Sequence, residues 1–112
     1  MTIYILNTLI FPINFDDTKN ASVLFQKISI EEAKRIVQEN EIVSAVGHEA
    51  TAKILSKLLD KEIPFNRISI FMKPGDRALH FFLKQRLPEG RILNEEELKN
   101  LDYWLVLSER VQ

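Results

Sequence analysis

The chain has 112 residues, a length typical of one domain, and its 46% hydrophobic content is enough to build a core, which excludes extended disorder. It has no cysteine and only two histidines, which excludes disulfides and thiolate metal sites and argues against a multi-histidine metal site. No apolar stretch is long enough to span a membrane, and the N-terminus lacks a signal-peptide pattern. We therefore expect a cytoplasmic protein with no metal and no cofactor.

Positive charge is concentrated in one short segment of a nearly neutral protein. The net charge is −1, which argues against a general DNA or RNA binder. Residues 66–91 contain six Lys and Arg against two Asp and Glu, whereas both flanking regions are net negative. This distribution suits a small, localised anion better than a long duplex.

The first half of the chain predicts two strands followed by a helix. Residues 3–6 are apolar and rich in β-formers, and residues 23–28 form a second extended stretch after a polar loop. Ser29 and Glu32 have the spacing of a capping box, in which each side chain satisfies a free backbone N–H of the other residue. This box predicts a helix over residues 30–40.

The second half begins with a short strand over residues 42–46 and a helix from about residue 48 to residue 60. Residues 67–72 and 78–84 then predict a hairpin around a proline–glycine turn. Asn94 predicts the cap of a short helix, and residues 103–107 predict a last strand. The pattern indicates an α/β fold over residues 1–112, a single domain with a mixed sheet of about five strands flanked by helices.

A candidate anion site lies where the second helix begins. Gly47 precedes this helix and is expected to let the chain turn sharply, which leaves backbone N–H groups free to bind an anion. His48 is expected to lie at the positive end of the helix. The alternative is that His48 is only a solvent-facing residue of the first turn.

Two further segments carry candidate residues. Arg86 can donate two parallel hydrogen bonds to a phosphate, and Glu89 can orient a base or a sugar hydroxyl; the alternative is a turn with solvated charges. Arg67 follows Asn66, and the alternative for this pair is a charge at the start of an edge strand. His80 alternates with apolar residues and is expected to be a strand residue rather than a metal ligand.

Four segments occur in an order and at gaps that resemble the viral-type ring nucleases, small anti-CRISPR proteins of archaeal viruses with relatives in bacteria and phages. The likeness covers about residues 42–100, together with the first strand through Asn7. The segments are residues 46–51 (VGHEAT), 66–70 (NRISI), 75–79 (GDRAL) and 85–93 (QRLPEGRIL).

The resemblance implies a metal-independent enzyme that degrades cyclic tetra-adenylate, the second messenger of type III CRISPR systems. It also implies a homodimer that binds the ring across its two-fold axis. By matching position, His48 is the expected general acid, Arg86 the ligand of the scissile phosphate and Glu89 a catalytic helper, while Arg67 is expected to bind the ring. The other expected substrate-binding residues are Asn7, Thr8, Gly47 and Gln85. Family members often have a serine shortly after the first-strand asparagine, and here either the Thr8 hydroxyl or the backbone would make that contact.

The chemistry is consistent with the residues, because a ribonucleotide linkage supplies its own nucleophile, the 2′-hydroxyl. The protein needs only to orient that group, neutralise the phosphate and protonate the leaving oxygen. The alternative function is a non-catalytic dimer that binds or sequesters a cyclic oligonucleotide. A third possibility is a structural or host-interaction protein without a nucleotide site.

Overall fold

The computed structural model describes residues 2–85 and 93–112. Within them, the chain forms five strands and three helices, with two consecutive strands at the start and alternating elements thereafter. The elements are β1 (Thr2–Leu6), β2 (Val23–Ile28), α1 (Ile30–Glu39), β3 (Glu41–Ser44), α2 (Glu49–Leu59), β4 (Arg77–Leu83), α3 (Glu95–Lys99) and β5 (Tyr103–Arg110).

The strands form one mixed sheet in the order β2-β5-β4-β1-β3. β1 pairs in parallel with both β3 and β4, whereas β5 pairs antiparallel with both β4 and β2. The expected mixed α/β sheet of about five strands is therefore confirmed. Because β1, β3 and β4 are parallel, their carboxyl ends lie at the same edge of the sheet.

The main core lies between the sheet and the helices. Side chains alternate across a strand, so Ile3 and Ile5 of β1 face the helices while Tyr4 and Leu6 face the opposite side. Both α1 and α2 contribute fully buried residues to this core, such as Val37. Both faces of β1 are therefore covered, one by the helices and the other by the cluster around Leu6.

The opposite face of the sheet has no helix among the described residues, and we call it the helix-free face. Part of it is covered by two irregular segments, residues 7–14 and residues 70–73. Met72 packs here with Leu6 and Ala78, and Phe11 contacts the same cluster. The backbone N–H of Met72 donates to the Pro12 carbonyl at 2.9 Å, which joins the two segments.

The predicted hairpin is wrong, although its turn is present. The turn has Gly75 at φ 93°, and Asp76 N–H donates to the Lys73 carbonyl at 2.9 Å. Residues 67–72 form no strand, and β4 instead pairs with β1 and β5. Since both edges of β4 are occupied, this stretch pairs with no strand, and its Ile70 and Met72 pack on the helix-free face.

The local helix signals are confirmed. Ser29 with Glu32 forms the predicted capping box at the start of α1. Asn94 is the predicted cap of α3, and it forms a second capping box with Glu97. Within residues 2–85 and 93–112, no helix has the length and apolar character needed to cross a bilayer.

Candidate functional site

Several of the predicted site residues follow the carboxyl ends of the three parallel strands. Asn7 and Thr8 come directly after β1, Gly47 and His48 follow β3, and Gln85 follows β4. In open α/β sheets this edge is where ligands bind, because loops and helix starts converge there. The topology therefore brings residues from distant parts of the chain to one edge.

His48 is the residue immediately before α2, with φ −125° and ψ 119°, and its side chain makes no capping hydrogen bond. The first N–H groups of a helix have no partner within the helix and carry a partial positive charge. His48 is exposed, and its imidazole has no hydrogen-bonding or ion-pair partner among the described residues, whereas its backbone carbonyl accepts a hydrogen bond from Ala52 N–H at 3.0 Å. Its imidazole and the start of α2 are both accessible to an anion.

Arg67 lies beside this helix start. A methyl group built on Gly47 would be 3.7 Å from both Cγ and Nε of Arg67. Arg67 is exposed, and it makes no salt bridge within the part of the chain that the structure describes. A guanidinium and an imidazole are thus held next to the positive end of one helix.

Asn66 holds this arginine in place. Its backbone N–H donates to the Val46 carbonyl at 2.9 Å, and its Nδ2 donates to the Ser44 carbonyl at 2.8 Å. Ser44 Oγ in turn donates to the Pro64 carbonyl at 2.6 Å. Sequence reasoning grouped Asn66 with Arg67 but missed this anchoring role, because no local signal links it to residues more than twenty positions away.

Gly47 does not have the conformational role expected from the sequence. Among the described residues, Gly75 is the glycine with positive φ, so the backbone at Gly47 is open to any residue type. The nearest atoms to an added methyl group would be those of Arg67, at ordinary contact distance.

The other substrate-binding candidates differ in their surroundings. Asn7 and Thr8 have no side-chain partner among the described residues, whereas the Thr8 carbonyl accepts a hydrogen bond from His80 at 2.6 Å. Gln85 Oε1 accepts a hydrogen bond from Asp102 N–H at 2.8 Å. Gln85 therefore braces the start of β5 and has its amide NH₂ group left for a ligand.

The two remaining catalytic candidates, Arg86 and Glu89, lie outside the described residues. His80 is fully buried and bound at both ring nitrogens, so its expected role as a strand residue is confirmed. Within residues 2–85 and 93–112, no group of three or more His, Cys, Asp or Glu side chains could hold a metal ion.

These side chains and the helix start define what the edge can do chemically. Unpaired N–H groups and a guanidinium bind the oxygens of a phosphate. An imidazolium can donate a proton to the oxygen that leaves the phosphorus when a phosphate ester is cleaved. The arrangement suits an anionic phosphodiester.

Comparison with known proteins assigns the family. A sequence model described as STIV B116-like matches residues 3–105. The chain belongs to the STIV B116-like family. It is 43% identical over 106 residues to Uncharacterized protein 26 of Sulfolobus islandicus filamentous virus, covering 92% of this chain and 88% of that protein.

Other STIV B116-like relatives come from viruses and from a bacterium. Uncharacterized protein ORF117 of Acidianus two-tailed virus is 42% identical over 115 residues, covering 100% of this chain and 96% of the relative. Uncharacterized protein YddF of Bacillus subtilis is 31% identical over 88 residues, covering 77% and 82%. The solved structure of B116 from Sulfolobus turreted icosahedral virus has a TM-score of 0.81 over 97% of this chain and 99% of B116, at 20% identity. This structural match supports the fold.

Proposed function

We propose that this protein is a metal-independent ring nuclease that cleaves cyclic tetra-adenylate and so switches off the effectors of type III CRISPR systems. The substrate comes from the resemblance to viral-type ring nucleases. The observation that supports the chemistry is the juxtaposition of an unpartnered His48 at the uncapped start of α2 with Arg67 against Gly47.

The proposed reaction uses the nucleophile of the substrate. The 2′-oxygen forms a bond to the adjacent phosphorus while the bond from phosphorus to the 5′-oxygen breaks, and the 2′-hydroxyl proton passes to solvent. The imidazolium of His48 gives its proton to the departing 5′-oxygen. The products are linear and end in a 2′,3′-cyclic phosphate and a 5′-hydroxyl.

The negative charge of the phosphates is neutralised by two sets of residues, one within the described part of the chain and one outside it. Arg67 and the N–H groups at the start of α2 hold phosphate oxygens of the ring, and they act most strongly where water is excluded. By matching position with the ring nucleases, Arg86 contacts the scissile phosphate and Glu89 assists catalysis. Asn7 and Thr8 complete the binding surface from the end of β1.

A homodimer belongs to the same proposal, because a four-fold ring can lie on a molecular two-fold axis. The helix-free face carries an open groove of about 420 Å³, lined mainly by apolar side chains that include Leu9, Phe25 and Trp104. Phe25 is 45% exposed and Trp104 is 37% exposed, and exposed apolar patches are typical of protein interfaces. We propose that a second copy of the chain covers this groove.

The catalytic test compares wild type, His48→Ala and Lys57→Ala in buffer with EDTA. Lys57 is an exposed residue of the last turn of α2 and provides the matched control. A positioned general acid contributes roughly 10²–10⁴ in rate, so we expect a loss of that size in His48→Ala with ring affinity largely kept. Cleavage is followed by chromatography, and mass spectrometry identifies the 2′,3′-cyclic phosphate.

The outcomes separate the competing functions. Wild type that binds the ring but never cleaves it is a binding module, the alternative function. Wild type that neither binds nor cleaves cyclic tetra-adenylate refutes the proposal. For the dimer, Phe25→Glu should yield monomers in light scattering, whereas Leu24→Glu, exposed on the other face of the same strand, should not.

A further inference from the structure

The helix-free face contains a histidine that the proposed reaction does not use. His80 lies in β4 with 0% exposure, and both of its ring nitrogens make short contacts. Nδ1 is 2.6 Å from the Thr8 carbonyl oxygen, and Nε2 is 2.6 Å from Ser108 Oγ. The ring of Phe25 lies 5.7 Å away and packs beside it.

The partners determine where the hydrogens are. A carbonyl oxygen only accepts, so Nδ1 carries a proton and donates to Thr8. In the neutral ring, Nε2 then accepts the hydrogen of the Ser108 hydroxyl. Burial lowers the pKa of His80, which favours this neutral form, while the hydrogen bond to Thr8 opposes the shift. His80 thus links the backbone of one segment to a buried hydroxyl of β5.

The segment that His80 holds is one that leaves the sheet. β1 ends at Leu6, which is paired in register with His80, and the chain then runs over the helix-free face. Among the described residues, His80 is the one side chain that donates a hydrogen bond to the backbone of residues 7–11. The next fixed point is Pro12, whose carbonyl accepts from Met72 N–H.

The bond between His80 and Thr8 affects the candidate site because it holds an exposed residue of that site. Thr8 is exposed, while its carbonyl points towards His80 of β4. Holding the carbonyl fixes the plane of the peptide between Thr8 and Leu9. Because Leu6 is held by its pairing in β1, Asn7 and Thr8 then lie between two fixed points at the carboxyl edge. Released from His80, residues 7–11 would gain conformational freedom that a ligand must then remove on binding.

We propose that His80 is a positioning residue that acts through the Thr8 carbonyl to hold Asn7 and Thr8 in place for the ring. The effect on ring binding rests on the proposed function, whereas the ordering of residues 7–11 does not. The two bonds of the imidazole can be removed separately. The amide of Asn reaches about as far as Nδ1, and the amide of Gln reaches about as far as Nε2.

The experiment compares His80→Asn, which can keep the bond to Thr8, with His80→Gln, which can keep only the bond to Ser108. Ser108→Ala is the matched control because it removes a buried hydrogen bond of the same ring but leaves Thr8 held. Three quantities are measured at a temperature where each variant is folded: amide hydrogen exchange of residues 7–11, the thermal midpoint, and the affinity for a non-cleavable cyclic tetra-adenylate.

In His80→Gln, we expect the amides of residues 7–11 to exchange at least about tenfold faster than in wild type. We also expect this variant to bind the ring at least about tenfold more weakly. An effect of this size is typical of the loss of one hydrogen bond to a buried group. We expect Ser108→Ala and His80→Asn to stay within about threefold of wild type in both quantities. If Ser108→Ala loses as much as His80→Gln, the effect follows stability and the positioning role is refuted.

Two other results are also decisive. Unchanged exchange of residues 7–11 in His80→Gln overturns the proposal, whatever the ring affinity. If His80→Gln does not fold, His80→Asn decides instead: protection of residues 7–11 must survive loss of the Ser108 bond, and its loss overturns the proposal. A wild type that does not bind the ring refutes the proposed function, while the exchange comparison still tests the link between His80 and Thr8.

Discussion

Acidification should destabilise this protein through His80, because the folded protein keeps that imidazole neutral. Burial lowers its pKa below the ordinary value of about 6.5, whereas the unfolded chain exposes it to water. Below about pH 6.5 the unfolded state therefore binds more protons than the folded state, and stability falls as the pH falls. Above about pH 7.5 both states are neutral at this position, and the contribution no longer changes with pH.

The magnitude follows from the linkage of proton binding to unfolding. One proton taken up only by the unfolded state changes the free energy of unfolding by at most about 1.4 kcal/mol per pH unit. For a side chain that is fully buried in the folded state, the loss between pH 7 and pH 5 has an upper limit of about 2 kcal/mol. For a domain of this size this is a large part of the total stability.

The assay measures urea unfolding of wild type and His80→Asn at pH 7, 6 and 5. Every other titrating group is common to the two proteins, so its effect largely cancels in the difference between their free energies of unfolding. We expect the advantage of wild type over His80→Asn to shrink between pH 7 and pH 5, by no more than about 2 kcal/mol. Two free-energy curves that run parallel over this range, or an advantage that grows on acidification, would refute the reasoning.

Three further predictions concern single residues. Gly47→Ala should leave the free energy of unfolding unchanged or raise it by up to about 1 kcal/mol, since the backbone there suits any residue. The same variant should weaken ring binding at least about tenfold in calorimetry, and unchanged affinity would remove Gly47 from the site. Asn66→Ala should cost about 1 kcal/mol in urea unfolding and weaken ring binding because Arg67 loses its anchor, and ring affinity equal to wild type would contradict that anchoring role. Asp60→Gly should raise the free energy of unfolding by about 0.5–1 kcal/mol, because Asp60 ends α2 at φ 55°, a backbone conformation that glycine adopts more easily. A destabilised variant would show that the Asp60 side chain contributes more stability than the strained backbone costs.

Much of the fold follows from patterns that are short in sequence. The capping box of Ser29 and Glu32 joins residues three positions apart, so nothing outside that stretch is needed to form it. The apolar run over residues 3–6 is likewise local, and it is sufficient to predict β1. The helices, the strands that frame them and the start of α2 at His48 were therefore predicted correctly.

The predicted strand over residues 67–72 fails for the opposite reason. Its alternating pattern is compatible with a strand, but a strand also needs a free sheet edge to pair with. β1 and β5 occupy both edges of β4, and the segment packs Met72 onto the helix-free face instead. No pattern within the segment itself carries that information.

The candidate site divides in the same way. Local spacing in the sequence predicts His48 at a helix start, whereas Arg67 becomes a candidate only through the resemblance to the ring nucleases. Only the tertiary structure places Arg67 against Gly47, since the bond from Asn66 to Ser44 spans 22 positions. Only the tertiary structure joins His80 to Thr8, which are 72 positions apart. Contacts within one turn of the chain follow from residue order, whereas contacts between distant segments exist only once the sheet has fixed which strands are neighbours.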